Sequence, residues 1–377
     1  MQQLCQSITD TFDKKKLVCS IFIDLAKAFD TVDHKILVSK LSGYGIRGTP
    51  LSLFSNYLSD RTQITLVNGH KSRPEMITCG VPQGSILGPL LFLFYVNDLP
   101  QNCNFTVRLF EDDACLLYNG KDPIELQNSV NNELVNVSQW MFKNKLTINY
   151  TKSNYIIFSP KKNNFKFNIH IDNNTLTRVA ETTYLGVTLQ ENLKWNTHIN
   201  NLIFKISRGS YILSKIRHYV GIQELKMIYY SLVHSHLSYC ISSWGGAPKS
   251  TLDPLIRLQK KIVRIITFSK FDSHSQPIFN KLQILNIPNL YNYSLAVELH
   301  KINCSSSNTG INHLIKLNQI HHHNTRLSNP NLHNFYQNYT RTNLSKSSYL
   351  SNGISFWRKL PSEIKSLTVQ SRFKSYL

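Results

Sequence analysis

Apolar positions along the chain change their period several times, and each change predicts an element. Residues 17–25 are nearly continuous in apolar side chains and end beside an acid. A strand buried on both faces has this pattern, with Asp24 at its C-terminal end. Helix-forming residues then run to about Leu41, with Asp30 and Asp33 as candidate caps and Gly43 and Gly45 as the stop. A second helix is predicted over Thr49–Leu58, with Pro50 in its first turn. Residues 64–68 alternate apolar and polar, and Asn68-Gly69 signals a tight hairpin whose return strand reaches about Cys79. The stretch 80–89 holds three glycines and two prolines, so its backbone can approach another group closely, with the Gln83 amide in the middle. An apolar helix follows over 90–96.

Residues 108–117 read as strand, turn, strand, with Glu111, Asp112 and Asp113 at the tip. Leu126, Val130, Leu134, Val137 and Met141 recur at helical spacing across Pro123–Lys143. Short strands are expected at 146–149 and 155–158, around Lys152, and at 184–187, which turns at Gly186. Beyond residue 195 the texture changes. Ile199, Leu202, Ile206, Leu213 and Ile216, then Leu225, Ile228 and Leu232, then Leu252, Leu255, Val263 and Ile266 mark amphipathic helices with Lys and Arg on their polar faces. Residues 304–350 are rich in Asn, Ser, Thr and His, and 353–361 read as an ordered closing segment.

Charge sharpens this division. The net charge is +20, but residues 1–190 carry 19 basic and 16 acidic side chains, whereas residues 191–377 carry 23 basic and 6 acidic. A cationic second half implies a polyanionic partner, with nucleic acid ahead of an anionic membrane surface. The seven cysteines include no C-x-x-C pair, so neither a zinc knuckle nor a disulfide framework follows from their spacing. The longest apolar run, 86–96, contains Gly88 and Pro89 and is too short to span a bilayer. No N-terminal targeting signal is evident. The adjacent histidines His321, His322 and His323 lack the i, i+4 spacing of a helical metal site.

The acidic turn is the most demanding feature. Two unit charges about 4 Å apart repel by about 1 kcal/mol in water and about 4 kcal/mol at an effective dielectric near 20. A solvated turn tolerates three acids, and a bound divalent cation would employ them. Asp24 at a strand end with Asp112 on a hairpin tip makes a carboxylate clamp suited to Mg²⁺, which takes one or two carboxylates plus waters and substrate phosphates. A pair of such ions serves in-line phosphoryl transfer.

Five stretches then appear in order: F-I-D-L-A-K-A-F-D-T-V-D-H (22–34), G-V-P-Q-G-S-I-L-G-P-L-L-F (80–92), F-E-D-D-A (110–114), N-K-L-T-I-N-Y-T-K-S (144–153) and Y-L-G-V-T-L (184–189) with L-K-W-N-T-H-I (193–199). Together with F-W-R-K-L-P-S-E-I (356–364), this series resembles the reverse transcriptases of non-long-terminal-repeat (LINE-type) retrotransposons, above all the jockey-like group. The resemblance implies an α+β fold: a right-hand polymerase palm with partial fingers over 1–192, its ferredoxin-like antiparallel sheet carrying helices on one face. A helical thumb over 193–290, gripping duplex phosphates, and a partly irregular C-terminal extension over 291–377 would follow. It implies RNA-directed DNA polymerase activity with two Mg²⁺ ions (Mn²⁺ as substitute), held by Asp24, Asp112, Asp113 and the Leu25 carbonyl. Phe29 matches a steric gate against a ribose 2′-hydroxyl, and plain core packing is the alternative for that ring. Gln83 and Gly84 would line the nucleotide and template side, in a loop that could equally be a structural turn. Lys152 matches a general acid for pyrophosphate, where a lone lysine is otherwise a solvated charge. Tyr184, Leu185 and Gly186 match the primer grip. The implied partners are an RNA template, a DNA primer or target DNA and dNTPs, with no membrane. An endonuclease domain is expected upstream, and the nucleus, or a cytoplasmic ribonucleoprotein, is the expected location.

Two departures from the family pattern stand out. Glu111 occupies a position that is usually small or apolar, often alanine, and Ala114 replaces the usual threonine. An extra negative charge near a primer terminus would repel phosphate or trap a metal, so reduced activity is expected. The family's fingers motifs should precede residue 1, so the chain is expected to be a truncated copy. The competing expectation is a catalytically inactive, nucleic-acid-binding remnant of such an element. A different two-metal nuclease is the third.

Overall fold

The computed structural model describes residues 1–159, 165–304, 335 and 340–376. They form two compact units: Lys16–Tyr184, and Met1–Lys15 together with Leu185–Leu377. Helix α1 (Gln2–Asp13) belongs to the second unit, because it buries Leu4, Ile8 and Phe12 there.

The first unit is built on a five-stranded sheet of β1 (Leu17–Ile23), β2 (Thr106–Phe110), β3 (Asp113–Gly120), β4 (Asn154–Phe158) and β5 (Thr177–Arg178). Its order is β5-β4-β1-β3-β2, antiparallel throughout except for the β5–β4 pair. Strand β1 is central and six of its seven residues are buried, which explains its unbroken apolar sequence. Ile21, Ile23, Ala114, Leu116, Tyr155 and Ile157 share one core with the helices α2 (His34–Gly43), α4 (Leu87–Val96) and α5 (Pro123–Lys143). Helix α3 (Thr49–Leu58) contributes Leu58 to it.

Local signals set the helix ends. Asp33 caps α2 by accepting from the Ile36 N–H at 3.0 Å. Asp122 caps α5 by accepting from Ile124 and Glu125 at 2.9 Å each. Such caps contribute about 1 kcal/mol apiece. Lys145 lies 2.6 Å from Asp33, and its hydrogen bond is the main reason the Asp33 carboxyl sits below the ordinary carboxylate range. Lys40 ties α2 to the rest of the core. Its Nζ donates to the Tyr95 carbonyl at 2.5 Å and to Asp98 at 2.7 Å, beneath the Tyr95 and Trp140 rings.

Asn68 and Gly69 both take positive φ, +49° and +83°, as a type I′ turn requires. The flanking strands are two short exposed ladders, Leu66–Val67 with His70–Lys71 and Thr62–Gln63 with Glu75–Met76, rather than one continuous pair. Pro74, which lacks an N–H, lies in the interruption. The expected strand at 146–149 reduces to a single bridge between Leu25 and Ile148.

The second unit is helical. Helix α6 (Asn196–Ile216) packs on α8 (Lys249–Ile266) and on α7 (Ile222–Tyr229). Helix α9 (Ile287–Cys304) packs on α10 (Tyr349–Lys359) and α11 (Gln370–Tyr376). Helix α9 crosses position 290 unbroken, since Pro288 stands in its first turn, where a missing N–H costs nothing. The closing segment is ordered, with Trp357 of α10 fully buried. Arg341 donates to the carbonyls of Phe12 and Asp13, and Thr342 donates to the Asp13 carboxylate at 2.9 and 3.0 Å, fastening α1 to this unit. The three adjacent histidines at 321–323 lie outside the described residues. Among the described residues no helix is long and apolar enough to cross a membrane.

Candidate active site

The sheet register brings the acids together. Ile23 of β1 pairs with Ala114 of β3, so the next step along the two chains sets Asp24 beside Asp113. Phe110 pairs with Asp113 across the β2–β3 hairpin, which leaves Glu111 and Asp112 as its two-residue turn. Glu111 takes φ +52°, a left-handed conformation that favours glycine or asparagine over a long side chain. Asp24 is clasped through its backbone. Its N–H donates to Ser153 Oγ at 3.1 Å, and its carbonyl accepts from the Asn149 N–H at 2.8 Å.

Asp24 and Asp112 line one open cleft of about 440 Å³, with Leu25, Phe29, Asp30, Gln83, Asn149 and Lys152. Phe29 is half-buried, lines the cleft and packs on Phe92, ring centroids 4.8 Å apart. Gln83 donates through Nε2 to Asp30 Oδ1 at 2.7 Å, which leaves its amide oxygen free of that bond. Lys152 Nζ lies 3.9 Å from Asp24 Oδ2 and is largely exposed, a loose pair of small energetic weight.

The carboxylates are crowded. The Asp113 carboxyl is held above the ordinary carboxylate range, first by desolvation and then by the like charges of Asp112, Asp24 and Glu111. Among the described residues no group of three or more His, Cys, Asp or Glu side chains is arranged to enclose a metal ion. Of the three carboxylates lining the cleft, Asp30 is bonded to Gln83; Asp24 and Asp112, with Asp113 beside them, still fit Mg²⁺, whose remaining ligands are waters and substrate phosphates. The donor set is all oxygen, and a divalent cation would relieve the repulsion on Asp113.

Of the residues expected at the site, Asp24, Leu25, Phe29, Gln83, Asp112 and Lys152 meet in this cleft, and Asp113 adjoins it. Gly84 stays exposed on the same loop with φ +78°. The close approach expected of that loop occurs at Gly80, where an added Cβ would meet the Asp30 backbone at 2.9 Å. Tyr184 is buried against Phe22, centroids 5.3 Å apart, and is not among the cleft-lining residues. Leu185 and Gly186 begin the second unit, both with positive φ, so the expected turn forms there. The Leu185 carbonyl accepts from the Tyr239 hydroxyl at 2.8 Å. Sequence reasoning missed Lys27, Asp30 and Asn149, which also line the cleft. Their signal was membership of the two motif stretches that supply Asp24 and Lys152.

A model of the family described as reverse transcriptase (RNA-dependent DNA polymerase) matches residues 1–189. The chain is 25% identical over 296 residues to the probable RNA-directed DNA polymerase from transposon X-element of Drosophila melanogaster, covering 76% of this chain and 32% of that protein. It is 26% identical over 290 residues to the RNA-directed DNA polymerase from mobile element jockey of the same species, covering 73% and 31%. The chain thus spans about a third of the length of the curated relatives it matches. Among solved structures, telomerase from Candida albicans in complex with a TWJ fragment of telomeric RNA aligns with a TM-score of 0.40 at 12% identity, over 75% of this chain and 54% of that one. With half of its residues matched by the family model and its curated relatives drawn from X-element and jockey, the chain belongs to the reverse transcriptase family, in the jockey-like non-long-terminal-repeat group.

Proposed function

We propose that this chain performs RNA-directed DNA synthesis, transferring a nucleotidyl group from a dNTP to a primer 3′-hydroxyl opposite an RNA template. The observation that carries this reading is the meeting of Asp24 and Asp112 in one cleft with Phe29, Gln83 and Lys152, in a chain of this family. Asp24 and Asp112 supply the oxygen ligands, with Asp113 beside them. Mg²⁺ held by these carboxylates would supply charge neutralisation at the transferred phosphate and a lowered pKa for the primer hydroxyl. The Phe29 ring, steadied by Phe92, restricts the space beside the nucleotide sugar. The Gln83 amide, held by Asp30, orients the nucleotide or its template. Lys27 and Lys152 are the cleft's cations and face the phosphate charge, and Lys152 Nζ is the proton donor to departing pyrophosphate. RNA template, primer or target DNA and dNTPs are the partners under this reading, an endonuclease acts alongside in the complete element, and the nucleus is the place of action.

A specific observation favours a second reading. Glu111 adds to the charge that burdens Asp113, so the chain could retain nucleic-acid binding while catalysis is weak or lost. Primer extension on an RNA template with Mg²⁺, then Mn²⁺, separates the two. Extension that disappears in Asp24→Ala supports the polymerase. Absence of extension by the parent chain with either ion, alongside intact nucleic-acid binding, supports the inactive remnant.

A further inference from the structure

One helix face of the second unit combines exposed rings with cations at regular spacing. Ile199, Leu202, Ile206 and Leu213 define the buried side of α6. Phe204, Arg208, Tyr211 and Lys215 recur at i, i+4, i+7 and i+11, so they form a stripe on the opposite side. Phe204 is 62% exposed and Tyr211 63%. Each ring is attended by the cation four residues on. The Arg208 guanidinium lies 4.4 Å from the Phe204 centroid, and the Lys215 ammonium lies 5.6 Å from that of Tyr211. A separate cation–ring pair, Arg217 4.8 Å from the exposed Phe268 ring, lies past the helix end and off this stripe.

The chemistry of the stripe selects its ligand. Residues 192–223 contain no acid, so the face complements a polyanion. A surface built for phosphate alone needs cations and gains nothing from large exposed rings. Rings interleaved with cations instead match a strand whose bases are free to stack while its backbone is neutralised. Phe204 and Tyr211 are about 10.5 Å apart along the helix, at about 1.5 Å per residue. That interval is wider than the roughly 3.4 Å between successive bases along one duplex strand and suits rings that take non-consecutive bases of an extended strand. In a duplex the base faces are already covered.

We propose that this stripe binds an unpaired stretch of nucleic acid, with bases stacked on Phe204 and Tyr211 and phosphates held by Arg208 and Lys215. The polymerase reading supplies the source of such a strand, but the binding requires no catalysis. The test uses the full chain without divalent cation, and fluorescence anisotropy with labelled oligo(dT) and with a blunt duplex of equal length. Phe204→Ala and Tyr211→Ala should each weaken oligo(dT) binding by about 5-fold or more, while duplex binding changes less than about 2-fold. Tyr211→Phe keeps the ring and should bind as the parent does. Equal losses on both ligands would make this a duplex surface, and no loss on either would leave the rings as packing; each overturns the proposal. If the alanine variants do not fold, the double variant Arg208→Gln with Lys215→Gln provides the same decision. Its log–log salt slope for oligo(dT) should flatten by about 1.4, at about 0.7 for each phosphate no longer neutralised, and an unchanged slope rejects the site. Primer extension by the parent chain, measured beside these binding curves, separates the two readings: absent extension with ring-dependent oligo(dT) binding overturns only the polymerase, and extension with ring-independent binding overturns only this stripe.

Discussion

Two places in the molecule hold acids at a cost, and they handle it in opposite ways. In the first unit, Asp113 sits desolvated among Asp112, Asp24 and Glu111, and every one of those neighbours raises its pKa further. In the second unit, burial also raises the Glu298 carboxyl, but the Gln2 amide counters it by a hydrogen bond to Oε1 and Lys301 by its charge, while Oε2 is buried without a hydrogen-bond partner among the described residues. Gln2 Nε2 donates to Glu298 Oε1 at 2.6 Å and also bonds Ser242 Oγ. One acid has like charges for neighbours beside an open cleft, and the other has an amide donor and no acid among the groups that raise it. A crowd of acids without an amide or hydroxyl donor between them is the repulsion that the proposed Mg²⁺ would neutralise, whereas the Glu298 cluster has no such use for a cation.

The largest effect expected from this contrast is an exchange of phenotypes. Asp24→Ala should lower primer extension by at least about 10³-fold, about 4 kcal/mol of barrier, without lowering the thermal midpoint. Glu298→Ala should do the reverse. It removes the acceptor of the Gln2 amide and costs about 1–3 kcal/mol of stability, read by urea unfolding, with extension per folded molecule retained. A full extension rate in Asp24→Ala would remove that residue from the chemistry.

The apolar wall of the same cleft offers the next effect. Phe29→Ala should leave dNTP extension measurable while the preference for dNTP over rNTP falls by about 10–200-fold, the range a single apolar contact supplies. Unaltered discrimination would assign Phe29 to packing against Phe92 alone.

A smaller effect comes from pH. The folded-state pKa of Glu298 is raised above its ordinary 4.5, so the folded protein holds this proton more tightly than the unfolded chain. The stabilisation from this group is therefore complete below 4.5 and is lost as pH rises through the folded value. Glu298→Gln should flatten that slope in urea unfolding. Mg²⁺ should leave the slope alone and instead raise the thermal midpoint through the cleft, a gain that Asp112→Asn should abolish. A Mg²⁺-dependent Glu298 slope would erase the distinction between the two regions.

Sequence reasoning reached the cleft more easily than the Glu298 cluster, for a physical reason. Helix α5 follows from five apolar residues at helical spacing, and the hairpin follows from acids between two apolar runs. These are local signals. Asp24 and Asp112 are distant in sequence, yet an acid at a strand end and an acid on a turn each declare themselves. Gln2, Ser242, Glu298 and Tyr349 carry no such local mark, and their association depends on α1 packing with a unit that begins at Leu185. In α1, the buried Leu4, Ile8 and Phe12 recur at four-residue spacing among polar neighbours, too short a pattern to name what they pack against. The Asp30–Gln83 bond was hidden for a similar reason, since each residue looked complete within its own motif.

The subtlest prediction lies within the crowded turn itself. Glu111 is exposed, takes φ +52°, and is the weakest of the three like charges acting on Asp113. Its removal should therefore produce a modest gain rather than a rescue from nothing. Glu111→Ala keeps the backbone penalty of a left-handed L-residue and deletes only the charge, so a rise in primer extension isolates the electrostatic part. Glu111→Gly deletes the charge and relieves the backbone, by about 1 kcal/mol, so its thermal midpoint should exceed that of Glu111→Ala while extension rises equally in both. Equal extension in both variants and a lower rate in the parent would identify charge as what sets Glu111 apart from the two aspartates. An unchanged or reduced rate in Glu111→Ala would instead show that the turn tolerates all three acids, and that the parent's activity is limited elsewhere.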